Sequence, residues 1–412
     1  MPGLFRYVAP AGTPIGLPDL VHWATTALAL GDPATRLADA VAARTGTPHV
    51  FLTSTGRAGM TILLRAMHRL RPGRAEVVLP SYTCYSVAAS VIKAGLTPRL
   101  VDISPETLDY APDALAGTDF SRVLALVATN LYGLPNDMPA LQRLARAEGA
   151  FLVDDAAQAL GATVAQRHSG TWGDAGLYSF DKGKNVAAID GGVVVTASDD
   201  LAAAIRLEMA ALPRPGTGSA AIMVAKTLVY AALLRPWLYW IPNRVPQLKL
   251  GQTVFTTDFP LAAPGRPETA LAATMFRHLD ALTHTRRANA EAILHGLRGV
   301  TGVAPVRPAD CAEPVYLRLP VLAPSGTARD HLLARLTAEG IGATGSYPRS
   351  LAEIAELERA PGGPRIVVGP DVARRILTLP THPYVRATDI VRIVDVLSNT
   401  SASVTPGMVG AA

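Results

Sequence analysis

The feature that most constrains the fold is an alternation of short β-branched runs with longer helical stretches between residue 49 and about residue 200. HVFLTS, EVVLP, PRLVDI, VLALVATN and AFLVDDA are typical of buried strands, and stretches such as AGMTILLRAMHRL, SVAASVIKAG and PALQRLARAEG separate them with a helical period. LYSF and GVVVTA add further strands. Strands joined through helices pair in parallel, so we expect an α/β fold with a covered, mostly parallel sheet.

Outside this region the rhythm changes. Residues 212–268 are apolar and rich in Pro, and they interrupt the alternation. From about residue 271 the helical period returns in LAATMFRHLDALTHTRRANAEAILHGL, which predicts one long helix, and VYLRLPVLA predicts a strand. We therefore predict five segments: an N-terminal arm or helix (1–48), a large α/β domain (49–211), an insert (212–268), a smaller α+β domain (269–400) and a flexible tail (401–412).

Composition excludes several classes of protein. The 412 residues are 49% hydrophobic and only 17% charged, which excludes a disordered chain. Cys84 and Cys311 cannot build a disulfide framework or a clustered zinc site. The net charge of +5 is dispersed rather than collected in a basic block, so we expect no nucleic-acid partner. The first residues lack the pattern of a secretory signal, and we expect a reducing, cytoplasmic setting.

The chemistry is concentrated in two stretches, VDDAAQALGA (153–162) and GDAGLYSFDKGKNVAAIDGG (173–192). Asp154 and Asp155 stand at the carboxyl end of an apolar strand, the edge where open α/β sheets bind ligands. Because adjacent strand residues point to opposite faces, only one of the two can face a given site. Ser179 ends another strand and leads into a turn that carries Lys182 and Lys184. A carboxylate, a hydroxyl and a lysine at one sheet edge suit an anionic, nitrogenous cofactor held by an amine.

These motifs, in this order and spacing, resemble the DegT/DnrJ/EryC1/StrS family of pyridoxal-phosphate aminotransferases. The resemblance covers most of the chain. It rests on TSTGRAGM, EVVLPSYTCYSVA, VDISPETLDY, NLYGLPNDM, DDAAQALGA, SFDKGKN and ARRILTLPTHP. It implies a fold-type-I transferase with a large cofactor-binding domain and a smaller C-terminal domain, assembled as a homodimer.

The resemblance also implies roles for individual residues. Lys184 would join the cofactor aldehyde through its amine and then move the proton between substrate and cofactor carbons, with Lys182 as the rival candidate. Asp155 would pair with the pyridinium nitrogen and keep it protonated. Gln158 would lie near the phenolic oxygen and face of the ring, and Ser179 would hydrogen-bond the phosphate.

Residues 56–58 would open a helix beneath that phosphate. The amides of Arg57 and Ala58, following Gly56, would favour its charge. Relatives usually carry Thr at the position of Arg57, and we predict that the guanidinium binds the phosphate instead. Relatives also place an aromatic residue where this chain has Cys84, so that Tyr82 or Tyr85 would have to supply the stacking surface or the stacking would be weaker.

Other departures concern the substrate side and the dimer. Asn130 replaces a His that often precedes Leu-Tyr-Gly, and the Gly-x-Asn-x-Arg element of the partner subunit is not recognisable before residue 270. Tyr347, His382 and Asn185 are candidates for contact with the substrate. For His382 the alternative is a buried imidazole with a structural role only.

The stretch AAIMVAKTLVYAALLRPWLYWIP (220–242) stands where that element is expected. It is long enough to span a membrane, but Lys226, Arg235 and Pro236 interrupt it. Aromatic residues beside cations are typical of a lipid–water boundary, so a peripheral membrane contact is one hypothesis. The other hypotheses are an internal or dimer-interface helix and a hydrophobic wall for a non-sugar substrate.

The sequence therefore predicts an aminotransferase that moves an amino group from an amino-acid donor, with glutamate the first candidate, to a keto-sugar that is nucleotide-linked. Two alternatives stay open. One is a transaminase acting on a lipid-borne or otherwise hydrophobic ketone. The other is a non-catalytic, membrane-docked relative, which the retention of Lys184 disfavours.

Overall fold

A computed structural model of the chain describes residues 6–243, 254–357, 359–360 and 365–399. The tail predicted for residues 401–412 lies outside the described residues, as do the first five residues of the arm and residues 244–253 of the insert.

The strands fall into one large and two small sheets. They are β1 (His49–Thr53), β2 (Glu76–Pro80), β3 (Thr97–Val101), β4 (Val123–Thr129), β5 (Phe151–Asp155), β6 (Thr163–Val164), β7 (Arg167–His168), β8 (Ala175–Ser179), β9 (Gly192–Thr196), β10 (Ala304–Pro305), β11 (Ala312–Glu313), β12 (Arg318–Leu322) and β13 (Ile376–Pro380). The large sheet has the order β1-β9-β8-β5-β4-β2-β3.

In the large sheet, β8, β5, β4, β2 and β3 are parallel, whereas β9 pairs antiparallel with both β8 and β1. Almost every residue of these parallel strands is buried, because helices cover both faces. The predicted fold, an α/β protein with a mostly parallel mixed sheet flanked by helices, is confirmed. The register aligns Thr129, Asp155 and Leu177 across three strands, so the carboxyl ends of β4 and β5 form one edge.

The helices surround this sheet and continue into the C-terminal third of the chain. They are α1 (Leu17–Leu28), α2 (Pro33–Thr45), α3 (Gly56–Leu70), α4 (Tyr85–Lys93), α5 (Pro112–Ala116), α6 (Met138–Ala147), α7 (Asp199–Ala210), α8 (Thr217–Leu233), α9 (Trp240–Asn243), α10 (Arg266–Phe276), α11 (Leu279–Gly296), α12 (Gly326–Ala338), α13 (Val368–Arg375) and α14 (Ala387–Ser398).

The long helix predicted over 271–297 is instead two helices, α10 and α11, and that prediction was wrong. They are separated at Arg277 and His278, and the His278 backbone (φ −94°, ψ 2°) leaves helical geometry. The two helices pack against different neighbours: α10 lies on α1 and α2, and α11 lies on α14 and β12. Nε2 of His278 lies 2.8 Å from Oδ1 of Asp19, which fixes the corner against α1.

The C-terminal third carries its own antiparallel sheet, in the order β10-β12-β13. Helices α12, α13 and α14 pack together beside it. Strand β12 pairs along its whole length with β13, so that Arg318 lies opposite Pro380 at the end of the ladder. This placement brings the first residue of β12 to the large sheet's carboxyl edge.

Helix α8 forms most of the apolar insert. One face of it is buried, with Met223, Thr227 and Ala231 at most 4% exposed, and it packs towards α10. The opposite face is apolar and exposed, with Ile222 and Val229 both more than half accessible. Within the described part of the chain, no helix combines the length and apolar character needed to cross a bilayer.

Candidate active site

A cavity of about 410 Å³ opens where β5 and β8 end and α3 begins. Its lining includes eight of the eleven predicted site residues: Gly56, Arg57, Cys84, Asp155, Gln158, Ser179 and Lys184 from the large sheet's side, and Tyr347 from the C-terminal third. Residues 120 to 290 positions apart in the sequence thus meet in one cavity, as the ends of parallel strands in an α/β sheet require.

 Three predicted residues, Ala58, Asn185 and His382, do not line it.

The turn after β8 presents Lys184 to this cavity. Lys184 is half-buried and lines the cavity, whereas Lys182 is exposed and does not. The turn is held by its own backbone: the amide of Lys184 donates to the carbonyl of Asp181 (2.9 Å), and Oδ1 of Asp181 accepts from the amide of Gly183 (3.1 Å). Of the two candidate lysines, geometry favours Lys184.

A second set of contacts, made by the N-terminal arm and α11, fixes the backbone of Lys184. The hydroxyl of Thr13 donates to the Lys184 carbonyl (2.7 Å), and Nη2 of the fully buried Arg286 donates to the carbonyl of Gly12 (2.8 Å). Nε of Arg286 donates to Oδ1 of Asn185 (2.8 Å). Burial lowers the pKa of Arg286 to about 10, so the guanidinium stays charged at neutral pH. Asn185, predicted as a substrate contact, is thus part of the scaffold beneath the lysine.

The two adjacent aspartates point to opposite sides of β5, as the sequence predicts. Asp155 lines the cavity, and its Oδ1 accepts from the amide of Ala157 (3.0 Å). Asp154 points away, where its carboxylate accepts from the Gly170 amide (2.6 Å) and from Nδ2 of Asn130 (2.8 Å). Burial raises the pKa of each carboxyl to about 6, and the charge of Lys184 opposes this at Asp155. Both remain largely ionised at neutral pH.

Gln158 connects the cavity floor to an aromatic wall. Its Oε1 accepts from the amide of Tyr132 (3.1 Å), and its Nε2 donates to the hydroxyl of Tyr347 (3.2 Å). The ring of Tyr347 lies within 6.5 Å, between centroids, of the rings of Tyr82, Tyr85 and Tyr132. These contacts hold Gln158 and Tyr347 in one orientation relative to the floor.

The opposite end of the cavity is built to receive an anion. The first-turn amides of an α-helix have no partner within the helix, and α3 begins here at Gly56. A β-carbon on Gly56 would lie 3.1 Å from Cβ of Ser179, so a larger residue here would have to push α3 and β8 slightly apart. Arg57 lines the same end, with its Cζ 4.9 Å from the centre of the Phe259 ring.

Ala58 differs from the expectation. Its amide donates to the hydroxyl of Thr55 (3.1 Å), which caps the helix, so this amide is already engaged. The amides of Gly56 and Arg57, the hydroxyl of Ser179 and the Arg57 guanidinium together remain a donor set suited to a phosphate group. The residues at this end therefore fit the phosphate of a bound cofactor.

The surface that would face an aromatic ring is mixed. Cys84 and Tyr85 line the cavity, whereas Tyr82 is fully buried behind it, with its hydroxyl 3.1 Å from the hydroxyl of Tyr132. Sγ of Cys84 lies 2.9 Å from the hydroxyl of Ser86. Tyr85 and Tyr347, rather than Tyr82, are thus the aromatic rings exposed to the cavity.

His382 lies away from the cavity and is completely buried. Its Nε2 donates to the carbonyl of Ala9 (2.8 Å), and its Nδ1 accepts from the amide of Tyr384 (3.3 Å). Burial lowers its pKa to about 4, so the ring is neutral. This position matches the alternative of a buried imidazole with a structural role. It does not match a direct contact with the substrate.

Sequence reasoning missed four features of the site. Asp181 and Asp190 add carboxylates near the phosphate end, and Arg318 adds a cation at the outer wall. Arg286 supports the lysine turn from α11. The only signal in the sequence is the presence of a charged residue within an apolar run, as in VYLRLPVLA for Arg318. A charged residue in an apolar run indicates that a partner exists, but the tertiary packing decides which group that partner is.

The sequence profile described as the DegT/DnrJ/EryC1/StrS aminotransferase family matches residues 21–222 and 267–398. The chain belongs to this family. The predicted resemblance is therefore confirmed. The match leaves out residues 223–266, which contain most of helix α8, so most of the insert lies outside the matched regions.

Two curated members of the family are similar in sequence. The UDP-N-acetyl-3-dehydro-alpha-D-glucosamine 3-aminotransferase of Acidithiobacillus ferrooxidans is 35% identical over 178 residues, 43% of this chain and 48% of the relative. The GDP-perosamine synthase of Caulobacter vibrioides is 36% identical over 162 residues, 39% of this chain and 43% of the relative. The matched region spans less than half the length of these relatives.

Solved structures of the family share the whole fold. DesI, whose crystal structure was determined in the presence of its TDP-sugar product, superposes with a TM-score of 0.75 at 25% identity, covering 98% of this chain and 94% of DesI. The aminotransferase TlmJ from Streptoalloteichus hindustanus superposes with a TM-score of 0.76 at 22% identity, covering 97% of this chain and all of TlmJ, which shows the common fold.

Proposed function

We propose that the protein is a pyridoxal-phosphate-dependent aminotransferase that transfers an amino group from an amino acid, glutamate first, to a nucleotide-linked keto-sugar. The observation that carries the proposal is the meeting of Lys184, Asp155 and an anion-binding helix start in one cavity. The family, and relatives named for amino-sugar synthesis, support the same reaction.

Pyridoxal phosphate would supply an aldehyde and an aromatic ring that withdraws electrons from the substrate carbon. The phosphate would bind Ser179, the Gly56 and Arg57 amides and the Arg57 guanidinium, at the end of the cavity that fits an anion. The amine of Lys184 would hold the aldehyde carbon. Once substrate has displaced it, the same amine would be free to take the proton from the substrate carbon and to deliver it to the former aldehyde carbon.

Asp155 would pair with the ring nitrogen and favour its protonated form. Its carboxylate lies at the cavity floor and is ionised at neutral pH, so it favours a protonated nitrogen. Asn130 helps to hold this end of β5, because its Nδ2 donates to the Asp155 carbonyl (3.0 Å) as well as to Asp154. Gln158, fixed between Tyr132 and Tyr347, would face the ring's phenolic oxygen.

The proposal includes a homodimer. Helices α1 and α8 each present apolar side chains to solvent, among them Leu17, Val21 and Val229, and such surfaces are typical of subunit interfaces. Light scattering coupled to gel filtration tests the oligomeric state. A mass near the monomer value of 43.2 kDa at micromolar concentration would contradict the dimer.

The decisive experiment adds pyridoxal phosphate to the purified protein and follows its visible absorbance. We expect a band of the lysine-bound cofactor that borohydride bleaches, with the added mass on the peptide that contains Lys184. Lys184→Ala should lose the band, and the matched control Lys182→Ala should keep it. Protein that stays colourless with excess cofactor would overturn the proposal.

The second step of the experiment identifies the acceptor. Glutamate should convert the bound cofactor to its amine form, and a panel of nucleotide-linked keto-sugars should restore the original band. A hydrophobic ketone is the second candidate acceptor. It is favoured because the apolar helix α8 packs against the lysine turn, where the hydroxyl of Tyr230 donates to the carbonyl of Lys182 (2.7 Å). Restoration by long-chain ketones but by no keto-sugar would select that candidate.

A further inference from the structure

Arg318 opens strand β12 and lines the outer wall of the cavity. Its Nε is buried, and among the residues that the structure describes it has no hydrogen-bond acceptor. The Arg318 side chain forms no ion pair with any of these described residues. An arginine nitrogen that is removed from water and left without an acceptor costs free energy, so this residue needs a partner that the described residues do not provide.

The surroundings increase this need. Arg286, fully buried, donates to the carbonyl of Leu317 (3.1 Å), one residue before Arg318, and the two guanidinium charges oppose each other. The carboxylates that line the cavity are Asp155, Asp181 and Asp190, and none of them pairs with Arg318. Oδ1 of Asp181 lies 3.8 Å from the point where a β-carbon on Gly183 would stand, and it accepts from the Gly183 amide (3.1 Å). The Arg318 guanidinium therefore keeps donors that an anionic ligand in the cavity would satisfy.

The position of the guanidinium indicates which anion. Nη2 of Arg318 lies 3.8 Å from the point where a β-carbon on Gly183 would stand, and Gly183 directly precedes Lys184. An anionic group bound there would be attached close to the carbon that the lysine serves. The α-carboxylate of an amino acid is one bond from that carbon, whereas the diphosphate of a nucleotide-linked sugar is separated from its keto carbon by ring atoms. A planar carboxylate also matches the two parallel donors of a guanidinium.

We propose that Arg318 binds the α-carboxylate of the amino donor. The inference rests on the proposed function and deepens it, because it assigns a donor site within the same cavity. A keto-sugar acceptor carries no carboxylate on its reacting carbon. Its binding would therefore depend less on Arg318.

The test uses the cofactor-loaded protein and two variants, Arg318→Gln and Arg318→Lys. The exposed Arg298→Gln serves as the matched control. The probe is 2-methyl-L-glutamate, which has the carboxylate but no hydrogen to lose at the α-carbon, so its spectral titration reports binding without turnover. We expect an apparent Kd about 30-fold higher for Arg318→Gln, about fivefold higher for Arg318→Lys, and unchanged for the control.

A second measurement separates the carboxylate from other effects. In a single half-reaction, wild type should prefer L-glutamate to 4-aminobutyrate, which lacks the α-carboxylate, and Arg318→Gln should lose most of that preference. Calorimetry with UDP and TDP tests the alternative anion. A variant that binds these nucleotides weakly but the methylated amino acid normally would overturn the assignment and place the diphosphate at Arg318.

The outcomes also distinguish this inference from the proposed function. The proposed function itself is wrong if wild-type protein takes up no cofactor, or if no amino acid converts the bound cofactor to its amine form. If wild type reacts with glutamate and Arg318→Gln retains both its affinity and its preference, only the donor site is wrong.

Discussion

The two ends of the cavity are built differently. At the inner end, Asp155, Ser179 and Lys184 come from neighbouring strands and one turn, and their positions follow from chain order in a parallel sheet. At the outer end, Arg318 and Tyr347 come from the C-terminal third and reach the cavity only through packing of a second sheet. From this difference we expect cofactor binding to follow the fold of the large sheet, and substrate choice to depend on how the second sheet is placed.

The largest effect should come from the inner end. Replacing Asp155 with Asn removes the charge that favours a protonated ring nitrogen, and we expect kcat to fall about 10³-fold while Lys184 still binds the cofactor. The absorbance of the bound cofactor and single-turnover rates measure the two effects separately. Near-normal turnover would show that the ring nitrogen is not served by this residue.

Asp154 is the matched control because it is adjacent, equally buried and points the other way. Asp154→Asn would place an amide among backbone donors, and we expect a loss of about 2 kcal/mol in the free energy of unfolding. Its kcat should change less than threefold. A comparable loss of kcat in both variants would mean that the strand end, and not the Asp155 charge, is what matters.

How far the sequence predicts the structure follows the same division. EVVLP coincides with β2, and AFLVDDA contains β5, because strands buried on both faces appear as continuous apolar runs. The two helices α10 and α11 could not be separated in advance. Their apolar period continues through the break, and only the different partners of the two helices bend the chain there.

The site shows the same limit at the level of single residues. The motif around Lys184 predicts a residue that the structure does place in the cavity, since a turn after a strand has few ways to point. His382 and Asn185 lie in equally recognisable motifs, yet both side chains are satisfied by buried partners, Ala9 and Arg286 among them. A motif identifies a position in the fold, but tertiary packing decides whether the side chain faces the ligand.

Arg57 tests the phosphate end. Arg57→Ala removes a charged donor but keeps the helix amides and Ser179, so we expect the Kd for pyridoxal phosphate to rise about tenfold. Arg57→Lys keeps the charge without the paired donors and should give an intermediate value. Fluorescence or absorbance titration of the cofactor measures both. An unchanged Kd for Arg57→Ala would assign the phosphate to the amides and Ser179 alone.

Tyr347 tests the outer wall with a smaller change. Tyr347→Phe keeps the ring contacts but removes the hydroxyl that accepts from Gln158. We expect KM for the substrates to rise about fivefold and the Kd for the cofactor to change less than twofold. If the cofactor Kd changes as much as KM, the two ends of the cavity are not separable at this residue. Steady-state kinetics and a cofactor titration on the same preparation decide between these outcomes.

The smallest effect is expected on the free energy of unfolding. It concerns the carboxylate of Asp190, to which neither end of the cavity assigns a binding role. Burial, and then the negative charge of Asp181, raises the pKa of the half-buried Asp190 to about 6. A raised pKa means that the folded chain holds the proton more tightly than the unfolded chain. The associated stability is present below pH 4 and is lost as the pH rises through about 6.

Asp190→Asn lacks this ionisation, so its advantage over wild type should appear between pH 4 and pH 7. We expect the variant to be more stable by about 1 kcal/mol at pH 7 and equal at pH 4, less than a full conversion of the pKa change because the group is partly solvated. Urea unfolding of cofactor-free protein across this pH range measures the difference. A difference that stays constant with pH would mean that the substitution acts through packing. A difference that grows with pH would place an avoidable negative charge beside the phosphate end, where it limits the affinity that Arg57 and the helix amides provide.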